Sequence, residues 1–164
     1  MTSVIQGSDG NLYGTMSNGG ANDDGAVFKI GNAATTPTFD VIYNFTGGND
    51  GASPGGVIQV AGGDLYGTTA SGGESSGGTV FKIELSSAPT ERVIHSFPGG
   101  NDASITGSLI QGLDGKLYGT ARGGTVRADF VFSIDVRFGR PPIASSVPPA
   151  RPVPIHGRSP GPPP

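Results

Sequence analysis

The chain has 164 residues, a length that predicts one domain, and carries 30 glycines, 14 prolines and no cysteine. Helix therefore cannot dominate, and neither a disulfide framework nor a thiolate metal site can form. Net charge is −3, divided between 6 Lys and Arg against 13 Asp and Glu in residues 1–135, and 4 Arg with no acid in residues 136–164; an acidic body without a basic stripe argues against a nucleic-acid partner.

The opening MTSVIQGSDG has neither the basic nor the apolar region of an export signal, and no apolar run approaches a membrane span. From Val4 the chain reads VIQGSDGNLYGTMSNGG, then GAVFKI to Ile30 and VIYNFTGGNDG to Gly51. The same wording returns from Val57 as VIQVAGGDLYGTTASGG, GTVFKI and RVIHSFPGGND, and from Leu109 as LIQGLDGKLYGTARGG and DFVFSI, where the likeness stops at Ile134. The tyrosines of the three LYGT segments, Tyr13, Tyr66 and Tyr118, are 53 and 52 residues apart. Self-similarity at such a period identifies a repeat architecture.

Each copy predicts four short strands. VIQ or LIQ is the first, and Asp9-Gly10, Gly62-Gly63 or Asp114-Gly115 then supplies the positive φ angles of a two-residue hairpin turn. LYGT is the second, followed by a glycine-rich loop and a third strand, AVFKI, TVFKI or FVFSI. VIYNF or RVIHSF is the fourth, and the third copy lacks a recognisable one. The fold class is therefore all-β: tandem four-stranded antiparallel blades forming a partial, about three-bladed β-propeller, with a parallel β-helix as the rival. The repeat domain occupies residues 1–135, with repeats at about 4–56, 57–108 and a truncated 109–135. Gly67 and its counterparts Gly14 and Gly119 lie inside strands, where glycine costs stability unless another group must approach closely. An aromatic ring from the adjacent blade is expected over each.

The runs DGNLYGT, SNGG or ASGG, GTVFKI and FTGGNDG or FPGGND together resemble the tandem repeat of the choice-of-anchor GloVer family, over residues 4 to about 134. The resemblance implies a secreted or surface-displayed bacterial repeat protein, whose relatives end in alternative anchoring segments, with no established catalytic activity. This chain differs at both ends, having no signal peptide and no anchor-like segment after residue 135.

Closed propellers take about four or more blades, so an array of this length is expected to stay open. A fragment of a longer protein is the favoured explanation, and a ring closed by several chains the runner-up. The tail, residues 136–164, holds 10 of the 14 prolines and is expected to be disordered, with polyproline II stretches. An altered reading frame would account for it; a genuine spacer or a P-x-x-P ligand at Pro149 to Pro152 is the rival.

Candidate chemistry is sparse. His95 occupies the fourth-strand position of Tyr43 and reads as a packing or surface ring, and His156 lies in the tail. No G-x-S-x-G elbow or phosphate loop is present. Asp9 and Asp114 recur at hairpin turns, with Gly62 between them, and read as turn residues; a pair of acids made unequal by their loops would be the exception that signals catalysis. Asn22-Asp23-Asp24, Gly48-Asn49-Asp50 and Asn101-Asp102 offer oxygen ligands to calcium but lack calcium-loop spacing. Asn44-Phe45-Thr46 is a formal glycosylation triplet inside a predicted strand. Tyr13, Tyr66 and Tyr118 read as core rings packed on the neighbouring blade, with a sugar-stacking ladder as the alternative. No catalytic, cofactor-binding or metal-binding residue is assigned. The expected function is a non-enzymatic surface-type module whose loops bind a glycan or protein partner, associating with further repeats; a fragment of a propeller-type carbohydrate-active enzyme is the alternative.

Overall fold

A computed structural model describes residues 4–31, 36–99, 104–105, 107–122, 130–136 and 145–147. The described residues form three antiparallel sheets, without helix. The first contains β1 (Val4–Gln6), β2 (Leu12–Met16), β3 (Ala26–Ile30) and β4 (Phe39–Asn44), paired in chain order. In the second, β5 (Ala52–Gln59), β6 (Leu65–Ser71), β7 (Thr79–Glu84) and β8 (Thr90–Ser96) do the same. The third orders β10 (Ile110–Gln111), β11 (Leu117–Arg122), β12 (Phe130–Ile134) and β13 (Ser145–Val147), with β9 (Ser104–Ile105) also paired to β11.

Three details differ from the sequence expectation. The hairpin turn has three residues: Gly7 N–H donates to Asn11 O at 2.8 Å and Gly10 N–H to Gly7 O at 2.9 Å, with only Gly10 of the Asp-Gly pair at positive φ (81°). This is a tight turn followed by a left-handed glycine, and the Gly112–Lys116 turn repeats it. The first strand of the second repeat is longer than VIQ, because Ala52 and Pro54 also pair with β6, with a register shift between Pro54 and Val57. Proline is accommodated there because β5 is an edge strand and the ladder is interrupted at that point.

The third difference concerns the third sheet, whose fourth position is filled. Ser145–Val147, within the segment expected to be disordered, pairs antiparallel with β12 through Val131↔Val147, Phe132↔Ser146 and Ser133↔Ser145. Val147 thereby takes the register position of Tyr43, paired with Val27, and of His95, paired with Val80. The physical reason is local: Pro141-Pro142 and Pro148-Pro149 bracket IASSV, a proline-free stretch that keeps its ladder donors. The remaining residues of 137–164 lie outside the described set.

Both hydrophobic cores lie between sheets. Tyr13, Val27 and Phe45 of the first repeat interlock with Val57, Leu65, Phe81 and Ile83 of the second. Tyr66, Val80 and Phe97 of the second interlock in the same way with Leu109, Leu117, Phe132 and Ile134 of the third. Each sheet thus has a forward face, packed on the next sheet, and a rear face, packed on the one before. Strand alternation divides LYGT between them: Leu65 faces back and Tyr66 faces forward. A bulge between Val27 and Phe28, repeated between Val80 and Phe81, passes over Ile42 and Ile94 in the ladder. Ile42 and Tyr43 can then both pack on the same forward core, which explains why VIYNF reads as a continuous apolar run.

The strand glycines mark the layer that sets this packing. A Cβ on Gly14 would lie 2.5 Å from Phe28 Cζ, one on Gly67 2.5 Å from Phe81 Cζ, and one on Gly119 would collide with Phe132. Each ring belongs to the residue paired with its glycine across the same sheet, so the covering aromatic comes from the blade itself and not from its neighbour. The neighbour supplies the next layer: Phe45 meets Phe81 edge-on at 5.0 Å, and Phe97 meets Phe132 at 5.0 Å.

Gly67→Ala is therefore expected to cost about 1–3 kcal/mol in denaturant unfolding, the usual penalty for forcing a methyl into a filled core. The same substitution should cost less in a Phe81→Leu background. Strictly additive losses would show that the ring and the glycine do not compete for that space.

Candidate functional site

The recurring acids serve their own hairpins. Asp9 Oδ2 accepts from Tyr13 Oη at 2.8 Å and from Asn11 Nδ2 at 2.6 Å, while its Oδ1 accepts the Asn11 amide at 3.1 Å. Asp114 does the same with Tyr118 Oη at 2.8 Å and the Lys116 amide at 3.1 Å. Burial acts to raise the Asp9 pKa, but the Tyr13 and Asn11 hydrogen bonds outweigh it and hold the carboxyl below its ordinary value. Burial and the Asp9 carboxylate push the Tyr13 phenol up to about 12. The Tyr118 hydrogen bond likewise lowers Asp114.

Gly7 and Gly112 complete each arrangement, because a Cβ there would lie 2.7 Å from the tyrosine Cε2. In the second repeat Val60 and Gly62 replace the glycine and the aspartate together. Gly62 there adopts φ +108°, which an aspartate would tolerate poorly. The acid moves to Asp64, whose Oδ2 pairs with Lys82 Nζ at 2.8 Å.

The candidate calcium loops are occupied by similar internal bonds. Asp23 Oδ1 accepts the Gly19 amide at 2.9 Å, and Asn22 Nδ2 donates to Phe45 O at 2.8 Å. Asp50 accepts from the Thr46 amide and Tyr43 Oη, each at 2.9 Å, and from Thr46 Oγ1. Among the described residues no three His, Cys, Asp or Glu side chains converge as a metal site would require. Asn44 Oδ1 accepts the Ala21 amide at 2.8 Å, so the glycosylation triplet is engaged in loop packing. Asn101-Asp102, His156 and Pro149 to Pro152 lie outside the described residues.

Tyr13 and Tyr66 are buried against the following sheet, whereas Tyr118 is half-buried on the forward face of the third sheet. His95 is half-buried, its ring edge-on to Phe97 at 4.6 Å, and burial lowers its pKa.

One pair of unequal acids does occur, and it was not legible as a pair. Glu91 sits on β8 opposite Ile83, a rear-face core residue, and therefore points toward the first sheet. There it comes within reach of the Tyr43 hydroxyl and feels the Asp50 charge. Glu91 Oε1 is the one buried side-chain polar atom without a hydrogen-bond partner among the described residues. Burial, and then the Asp50 charge, push this carboxyl up to about 7. Tyr43 already gives its single hydroxyl hydrogen to Asp50, so Glu91 gains a partner at Tyr43 Oη by becoming protonated and donating. The sequence signal was the acid at position 91, where the first repeat has Phe39.

Three clefts accompany these groups. One of about 350 Å³, between the first two sheets, is bordered by Asp9, Lys29, Asp40, Leu85 and Pro89. A second, of about 380 Å³, is bordered by Asn49, Glu74 and Val93 to Ser96, and a third, of about 230 Å³, by Ser53, Thr68 and Gly107. Neither Glu91 nor Asp50 borders any of the three.

The Glu91 pKa of about 7 lies above its ordinary 4.5, so its contribution to stability is complete below pH 4.5 and fades as pH rises through 7. Thermal melts should fall across that window by the equivalent of about 1–2 kcal/mol, once solvent screening of a half-buried group is allowed for. Glu91→Gln should flatten this part of the profile and raise the melt above pH 7. An unchanged slope in the variant would place the titrating group elsewhere.

No curated protein matches the chain. Its repeats do match a family, the Gloeobacter/Verrucomicrobia repeat, over residues 1–143. With most of the sequence covered and the threefold sheet unit in place, this all-β chain belongs to the Gloeobacter/Verrucomicrobia repeat family.

Proposed function

We propose that this repeat module is non-enzymatic and secreted or surface-displayed, a partial β-propeller that binds a glycan or protein partner through its loops. The observation that carries this reading is the cleft between the first two sheets. Asp9, Lys29 and Asp40 present charged donors and acceptors around a space of about 350 Å³, in a size range suited to a sugar unit or a short peptide. The Asp9–Tyr13 hydrogen bond already fixes one wall of it, which reduces the ordering cost of binding. The stacked order of the sheets, each packed on the next through equivalent residues, supports the propeller part of the reading. The surface location rests on the family resemblance.

A glycan array with neutral and acidic oligosaccharides tests the binding reading. Binding of at least one class is expected, with Lys29→Ala and Asp40→Ala each weakening it about tenfold, the scale of one lost charge-assisted hydrogen bond. A blank array removes the glycan half of the reading, and binding unaffected by either substitution removes this cleft.

The second reading, a piece of a carbohydrate-active propeller enzyme, is favoured by one observation: Asp50 and Glu91 differ in environment while flanking one tyrosine. Asp50 is held by its own loop, accepting from the Thr46 amide and from Tyr43 Oη, and this supports a structural role instead. Hydrolysis of any polysaccharide, abolished by Glu91→Gln, would reverse that preference.

A further inference from the structure

The two ends of the sheet stack expose complementary faces. On the rear face of the first sheet Val4 is 51%, Leu12 36%, Phe39 57% and Val41 41% exposed; on the forward face of the third, Ile110 is 67% and Val131 44% exposed. With Leu113, at a hairpin tip, these are all the large exposed hydrophobics of the described residues. At three of these positions the counterparts elsewhere are core. Val57 and Leu109, counterparts of Val4, are 1% and 2% exposed; Leu65 and Leu117, counterparts of Leu12, and Val27 and Val80, counterparts of Val131, are all at 0%. At these three positions residue type does not separate the exposed from the buried, only whether another sheet lies against them.

We propose that the forward face of the third sheet receives the rear face of the first sheet of a second copy of this chain, repeating the packing used inside the molecule. The occupant is argued from continuity, since the same forward and rear positions already pair twice within one chain. A second copy also brings the required rear face with its apolar side chains intact. At the joint between the first two sheets, Glu91 places an acid on the rear face; at the proposed joint Phe39 stands in that position, so no buried carboxyl opposes association. The contact is heterologous, forward to rear, and closes only if the rotation per sheet allows it. Two copies with three sheets each fall within the range of about four to eight blades in which propellers close. The expected product is therefore a closed dimer of two 16.4 kDa chains, joined at two equivalent seams. The closure rests on the propeller reading above, but not on its glycan-binding part.

Analytical ultracentrifugation of the full chain over a wide concentration range tests it. A dimer is expected, and Val131→Glu or Val41→Glu alone should each give a folded monomer, because each spoils both seams; Ile110→Glu and Leu12→Glu serve as second choices if either unfolds. Mixing the Val131→Glu and Val41→Glu chains should restore association, since a mixed dimer contains one seam between two unaltered faces. Face-to-face dimers of like surfaces would respond to only one of the substitutions, and that result overturns the proposal. So does a wild-type chain that remains monomeric at every concentration, which would leave the faces to another occupant, such as further repeats of a longer chain. A positive glycan array from a monomer would keep the binding reading while removing this one.

Discussion

A three-layer contact holds this protein together: a strand glycine, the phenylalanine paired with it across the same sheet, and a phenylalanine from the sheet before. Gly67, Phe81 and Phe45 form one such set; Gly119, Phe132 and Phe97 form the next. The missing side chain lets the far end of the ring lie over the glycine, and the ring so placed gives the preceding sheet an apolar surface to approach. Without the glycine, the paired phenylalanine would have to stand away from its strand, and the sheets could not close on one another at the same spacing. Two phenylalanines that bury nearly all of their surface contribute several kcal/mol to each joint, a large share of the net stability of a domain this size.

The same contact explains why the sheets depend on one another. A four-stranded sheet with apolar groups on both faces has no core of its own, so its stability comes from its neighbours, as in other stacked repeats. Hydrogen bonds across the joints reinforce this: Thr15 Oγ1 donates to Gly55 O, and Thr68 Oγ1 to Gly107 O at 3.0 Å. The first and third sheets each satisfy only one face in this way, and their outer faces keep apolar side chains that the middle sheet buries on both sides.

The polar groups follow a different logic. Turn acids are held in their ionised form locally by a tyrosine hydroxyl and a backbone amide, an arrangement contained within five residues and therefore able to recur without reference to the rest of the fold. Where the second repeat gives up that arrangement, it gives up the glycine, the aspartate and the turn type together, and moves its acid to an ion pair with Lys82. The Glu91–Tyr43–Asp50 group is the opposite case. It spans two repeats, its members occupy unrelated positions within them, and its electrostatics exist only because two sheets meet there.

The sequence alone determined the repeat, the strand order of the first two units and the function of Asp9 and Asp114 as turn residues, since all of these depend on contacts between near neighbours in the chain. It also marked Gly14, Gly67 and Gly119 as close-packing positions, while the identity of the covering ring required the cross-strand register. Ser145–Val147 could not be recognised as a fourth strand, because a short segment without the VIYNF pattern pairs only when an open strand edge is held beside it. Which acids differ, and which valines and leucines are core or surface, was likewise decided by tertiary structure: identical residue types at identical repeat positions are buried or exposed according to whether another sheet lies against them.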